Sequence, residues 1–174
     1  MSSPRRPSDD NLPDRAHPHR LPPEAYRIPC QPMHASLDAK RGQHLWEGRR
    51  PAVLIETMGR VGRRQRVHIH AYAIMPDHLH VVLSVIEEGG DMAKWLAYFK
   101  RETARKLQAP GMWQRSFWDR HATNGDHLTT MVEYILANPI HARIVGGWSE
   151  SPYTWSEWHP ETKGRDPNLR ERAG

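Results

Sequence analysis

Two short runs of the chain, residues 67–75 and 78–86, are rich in β-branched side chains and are separated only by Pro76-Asp77, a pattern that predicts an antiparallel hairpin. In the second run Leu79, Val81, Leu83 and Val85 fall on one face, and His78, His80, Val82 and Ser84 on the other. Behind Gly89-Gly90, Asp91 is placed to cap a helix running to about residue 108, with Met92, Trp95, Leu96, Phe99, Thr103 and Leu107 on its apolar side and Pro110-Gly111 beyond its end. Ala52, Val53, Leu54, Ile55, Met58 and Val61 recur at helical spacing and predict an earlier helix over 51–61, followed by a basic loop over 62–66. A weak first strand is expected over 26–33, with Pro29 and Pro32 marking an edge or irregular path. Residues 112–121 predict a further aromatic strand, and Asp126 a last helix that Pro139 stops. The order strand, helix, strand, strand, helix, strand is that of a ferredoxin-like α+β fold. Its antiparallel sheet carries helices on one face, with an added C-terminal helix bearing Tyr134.

Length leaves room for one domain: 174 residues at 37% hydrophobic make one core, over 24–160, between polar ends at 1–23 and 161–174 that are expected to be flexible. The net charge of +5 is gathered in basic clusters at 60–66 and 100–106, which favours a polyanionic partner. One cysteine, Cys30, excludes an internal disulfide and a multi-cysteine zinc site, and reads as a small buried hydrophobe. No apolar run approaches the roughly twenty residues of a membrane span and no signal-peptide core is visible, so a cytoplasmic protein with no membrane partner is expected. Internal repeats and a glycine-rich phosphate loop are absent from the sequence.

The chemistry concentrates in two places. His78 and His80, spaced i, i+2 on one strand face, form a metal-ligand pair. His68 and His70 share the spacing but have no supporting feature, and no chemistry is assigned to them. On the last helix Leu128, Val132 and Ile135 share one side, and Thr130, Tyr134 and Asn138 another. A phenol with an ordinary pKa near 10 is a poor nucleophile at neutral pH, so Tyr134 needs a nearby cation to act as one. Asn138, one turn on, offers a neutral oxygen ligand. Tyr98 is the rival, on the amphipathic helix and with only Glu102 at i+4.

Three segments carry a family resemblance: Ala71-Tyr72-Ala73-Ile74-Met75-Pro76-Asp77-His78-Leu79-His80, Met112-Trp113-Gln114-Arg115-Ser116-Phe117-Trp118-Asp119, and Val132-Glu133-Tyr134-Ile135-Leu136-Ala137-Asn138-Pro139. In that order they resemble the signatures of the REP-associated tyrosine transposases, single-tyrosine HUH enzymes of the insertion-sequence-200-like group. The resemblance implies that His78 and His80 bind Mg²⁺ or Mn²⁺, that Asn138 stands in the place of a third ligand, and that Tyr134 attacks a DNA phosphodiester. It implies a 5′-phosphotyrosine intermediate on single-stranded DNA carrying a hairpin of the repetitive extragenic palindrome type. Asp77 stands where the family often has Asn and is read as closing the hairpin turn. With DNA as partner, Arg63, Arg64, Arg66, Lys100, Arg101, Arg105 and Lys106 are candidate phosphate contacts, and Trp113, Phe117 and Trp118 candidate stacking platforms, although large aromatics at strand spacing more often belong to the core. The enzyme is expected to act as a monomer or homodimer. The alternatives are a non-catalytic binder of structured nucleic acid and, ranked last, a metal-sequestering protein using both histidine pairs.

Overall fold

The computed structural model describes residues 21–169. Five antiparallel strands form one sheet in the order β4-β1-β3-β2-β5. In chain order the elements are β1 (Met33–Asp38), α1 (Arg50–Gln65), β2 (Val67–Ile74), β3 (His78–Val85), α2 (Met92–Lys106), β4 (Trp118–His121), α3 (Gly125–His141) and β5 (Thr154–Ser156). The first four strands with α1 and α2 make the expected ferredoxin-like α+β unit, and β5 adds an outer strand beside β2.

Alternation along the strands decides what each face buries. Met33, Ala35 and Leu37 of β1, with Leu79, Val81, Leu83 and Val85 of β3, meet Leu54, Met58 and Val61 of α1 and Trp95, Leu96 and Phe99 of α2 in the main core. Trp95 and Phe99 stack at 5.0 Å there, and the indole N–H of Trp95 donates to the Met58 carbonyl. The opposite face carries Ala71 and Val82, which pack under Met131, Val132, Ile135 and Leu136 of α3. α3 therefore covers part of the sheet face to which His78 and His80 belong. Asp91 caps α2 as expected, its carboxylate accepting from the Lys94 N–H at 3.0 Å, a contact typically worth about 1 kcal/mol.

Several boundaries differ from expectation for identifiable reasons. The first strand begins at Met33, after a 3-10 turn over Pro23–Arg27, because β1 pairs with both β3 and β4 and prolines at 29 and 32 lack the N–H groups a central strand donates. α1 runs through the basic segment to Gln65 and ends where Arg66 adopts the left-handed conformation (φ 52°), its N–H donating to the Gly62 carbonyl. Only Trp118–His121 of the aromatic segment is strand, although Trp113 bridges to Ala39. α3 is capped by Asn124 rather than Asp126 and passes through Pro139, whose carbonyl accepts from the Ile144 N–H while Arg143, with φ 56°, closes the helix. The missing N–H of Pro139 falls in the last turns, where the helix tolerates it. Cys30 is exposed with φ 58°, not buried.

The described part of the segment from residue 161 is bonded to β2. The Arg165 carbonyl accepts from the Tyr72 hydroxyl at 2.9 Å, and Asn168 bonds both the N–H and the carbonyl of Ile69. Residues 170–174 and 1–20, which include most of the expected flexible N-terminal segment, lie outside the described residues.

Candidate active site

His78 and His80 leave β3 on the same side, with their Nε2 atoms 3.0 Å apart. Each ring has an acceptor within reach of its other nitrogen. His78 Nδ1 lies 2.5 Å from the Asp77 carboxylate, and His80 Nδ1 lies 3.0 Å from Nε2 of His34 on β1. When each Nδ1–H is donated outward, both Nε2 lone pairs converge on one point, an arrangement that a cation stabilises. Their separation also fits a divalent ion: two ligands at right angles with bonds of about 2.1 Å would lie about 3.0 Å apart. The residues present thus fit a bound metal.

His34 makes the arrangement consistent. Burial first, then the charge of Arg120 and the nearby His78, hold its imidazole pKa down to about 3, so it stays neutral and can accept from His80. Asp77 does more than close the turn, since its carboxylate sits on a candidate ligand. Tyr134 of α3 stands over this group, its ring 6.3 Å from that of His80 and 6.5 Å from that of His34. The phenol is 38% exposed and so is not locked in the interior. Asn138 uses its amide nitrogen within the helix, donating to the Tyr134 carbonyl at 2.9 Å. Its bond is to helix backbone rather than to either histidine.

Residues 32–138 of this chain, which hold the histidine pair and the tyrosine, match the family model described as "Transposase IS200 like". The chain belongs to the IS200-like transposase family. It is 28% identical over 120 residues to the "Putative REP-associated tyrosine transposase" of Haemophilus influenzae, covering 58% of this chain and 68% of that protein. The REP-associated tyrosine transposase of Escherichia coli K12 is 24% identical over 96 residues, or 55% of this chain and 56% of the relative. A solved structure of a REP-associated tyrosine transposase bound to a REP hairpin shares the fold with a TM-score of 0.67 at 21% identity, covering 74% of this chain and 78% of that one.

In this IS200-like transposase the other residues singled out from the sequence divide between the two faces. Trp118 and Arg120 of β4 flank His34, with the Trp118 ring 5.1 Å from it. Trp118 is 36% exposed beside the histidines, whereas Trp113 is core, its indole N–H donating to the Thr103 hydroxyl. Trp113 is therefore not available for stacking. Phe117 lies edge-on to Tyr26 and beneath the Lys100 ammonium.

Lys100, Arg101, Arg105 and Lys106 ride on α2, in the layer opposite Tyr134. Lys100 donates to the carbonyls of Gln114 and Ser116, and Lys106 pairs with Glu56 at 2.6 Å. Arg63 and Arg64 end α1; Arg64 and Arg60 both pair with buried Glu102. Arg66 donates to the Glu88 carbonyl. None of these α1 and α2 cations belongs to the face that carries the histidines. Tyr98 is on that far layer too, under the Arg101 guanidinium at 4.6 Å, which removes it as the rival of Tyr134. Sequence reasoning missed His34 and Arg120; the signal was a histidine in the first strand, hidden by misplacing that strand.

Proposed function

We propose that this transposase cleaves and rejoins single-stranded DNA that carries a hairpin, with Tyr134 as the nucleophile. The observation that carries the proposal is the half-exposed phenol standing beside the His78–His80 pair on one sheet face. The tyrosine oxygen attacks the phosphorus, the bond to the 3′-oxygen breaks, and the phenolic proton is lost as the leaving oxygen takes up a proton. The products are a 5′-phosphotyrosine and a 3′-hydroxyl, and the same transesterification run backwards rejoins strands without a nucleotide cofactor. His78 and His80, with Asn138 as third ligand, would hold Mg²⁺ or Mn²⁺, which supplies Lewis-acid polarisation of the scissile phosphate.

His34 and Asp77 orient the two imidazoles. Trp118 offers a stacking face for an unpaired base, and Arg120 a charge for the backbone, both beside the nucleophile. The α1 and α2 cations, lying in the other layer, suit contacts with DNA that wraps away from the cleavage point. The REP hairpin bound by the REP-associated tyrosine transposase of similar fold supports a palindromic hairpin as the substrate class.

The test is incubation with labelled single-stranded DNA from the repeats beside its own gene, with Mn²⁺, followed by denaturing electrophoresis and intact-mass measurement. A covalent protein–DNA adduct is expected, lost in Tyr134→Phe while hairpin binding persists. An adduct that survives Tyr134→Phe removes this residue from the reaction; hairpin binding with no cleavage under any metal makes the protein a non-catalytic binder.

A further inference from the structure

The second histidine pair, left without chemistry by the sequence, is completed by the fold. His68 and His70, at i and i+2 on β2, hold their rings 4.8 Å apart, and a register shift between Ile69 and Ala71 makes His70 the extra residue of a β-bulge. Glu157, immediately after β5, reaches both rings: its carboxylate lies 3.0 Å from His68 Nε2 and also contacts His70 Nδ1. These ligand atoms all fall within 4.8 Å of one another. The fold holds the trio from outside as well. The Glu157 N–H donates to the His70 carbonyl at 3.1 Å, and the Trp158 indole stacks on the His70 ring at 5.3 Å with the planes 9° apart. His70 Nε2 lies 2.7 Å from the Ser84 hydroxyl. In the tautomer that donates Nε2–H to Ser84, Nδ1 turns a lone pair toward the carboxylate side, and a cation bound by both groups would favour that state over the one in which Nδ1–H donates to Glu157.

We infer that His68, His70 and Glu157 form a second metal site, for Zn²⁺ or a similar transition dication, that clips β5 to β2. Two imidazoles and one carboxylate are a donor set for zinc and its neighbours rather than for Mg²⁺, which prefers oxygen. Side-chain exposures of 31%, 16% and 29% leave the fourth position to water. The site is separate from the His78–His80 pair: Ser84 is four residues from His80 along β3, about 13 Å at the usual strand rise. Its bridge is long-range in sequence, joining residues 68 and 70 to 157, and fastens the segment that follows α3. The inference does not depend on the reaction proposed for Tyr134.

The experiment uses tag-free, metal-stripped protein carrying His78→Ala and His80→Ala, so that the first pair cannot contribute. Calorimetric titration with Zn²⁺ is expected to give one site per chain, with a rise in Tm on binding, and Co²⁺ to give visible d–d absorption. Adding Glu157→Gln should weaken Zn²⁺ at least tenfold and abolish the Co²⁺ bands. His68→Asn, at the most exposed ring, repeats the test should Glu157→Gln fail to fold. Absence of Zn²⁺ binding in the double variant, or an affinity unchanged within twofold by both further substitutions, overturns the second site and leaves a hydrogen-bonded trio. A native chain that binds Zn²⁺ only at residues 68, 70 and 157 would instead count against the first pair.

Discussion

His34 Nε2 lies 3.0 Å from His80 Nδ1, joining β1 to β3 through two imidazoles. For His80 to offer Nε2 to a metal it must carry its proton on Nδ1, and His34 is the group that accepts it. Outer partners of this kind typically govern metal affinity by 10- to 100-fold. His34→Leu should therefore weaken Mn²⁺ binding by about that factor, while His34→Gln, whose amide oxygen can still accept, should recover much of it. Mn²⁺ titration of both variants decides the point; equal affinities for His34→Leu and the native protein would exclude the role.

Asp77 does for His78 what His34 does for His80, but from an exposed position, with 65% of its side chain open to solvent. Solvent and salt screen the carboxylate charge there, so the acceptor oxygen matters more than the charge. Asp77→Asn is expected to leave Mn²⁺ affinity within about threefold, and Asp77→Ala to lower it about tenfold. Should Asp77→Asn prove as damaging as Asp77→Ala, the charge itself would be the working feature.

The β2–β3 hairpin, α2 with its Asp91 cap and the separation of Tyr134 from the apolar side of α3 were legible because periodicity and caps are local signals. β1 was not, since its apolar residues Met33, Ala35 and Leu37 are interleaved with His34 and Ser36 directly after two prolines, and the punctuation outweighed the alternation. Trp113 stayed a candidate stacking platform beside its core reading because its hydrogen-bond partner Thr103 sits on another element. His34 and Glu157 join their sites only through strand pairing across 46 and 87 residues, which a linear pattern does not contain. The β-bulge at His70 is equally invisible before the register is known.

The buried phenol of Tyr72 gives a pH dependence with a definite sign. Burial pushes its pKa well above the ordinary value, while the unfolded chain ionises near pH 10. The contribution to stability is therefore complete below about pH 10 and declines as pH rises beyond it, by about 1.4 kcal/mol per pH unit. Thermal melts between pH 9 and 11 should show a steeper loss of Tm for the native protein than for Tyr72→Phe, which has no phenol to ionise. Parallel slopes would mean that the ring becomes solvated before the fold melts.

Gly59 lies inside α1, where alanine ordinarily stabilises a helix by about 1 kcal/mol. Here a Cβ would come within 1.6 Å of the Pro167 carbonyl oxygen, so the residue is small because the chain's late segment crosses the helix at that point. That segment cannot simply lift away. Asn168 accepts from the Ile69 N–H at 3.1 Å and donates to the Ile69 carbonyl at 2.8 Å, covering backbone groups of β2 just before its pairing with β5 begins at Ala71. Gly59→Ala should reverse the usual sign and cost about 1–3 kcal/mol, lowering Tm by roughly 2–4 °C for each kcal/mol. Limited proteolysis should at the same time cut the variant within residues 161–169 and spare that segment in the native protein. An unchanged or raised Tm, with the segment still resistant, would show that the crossing does not restrict this position.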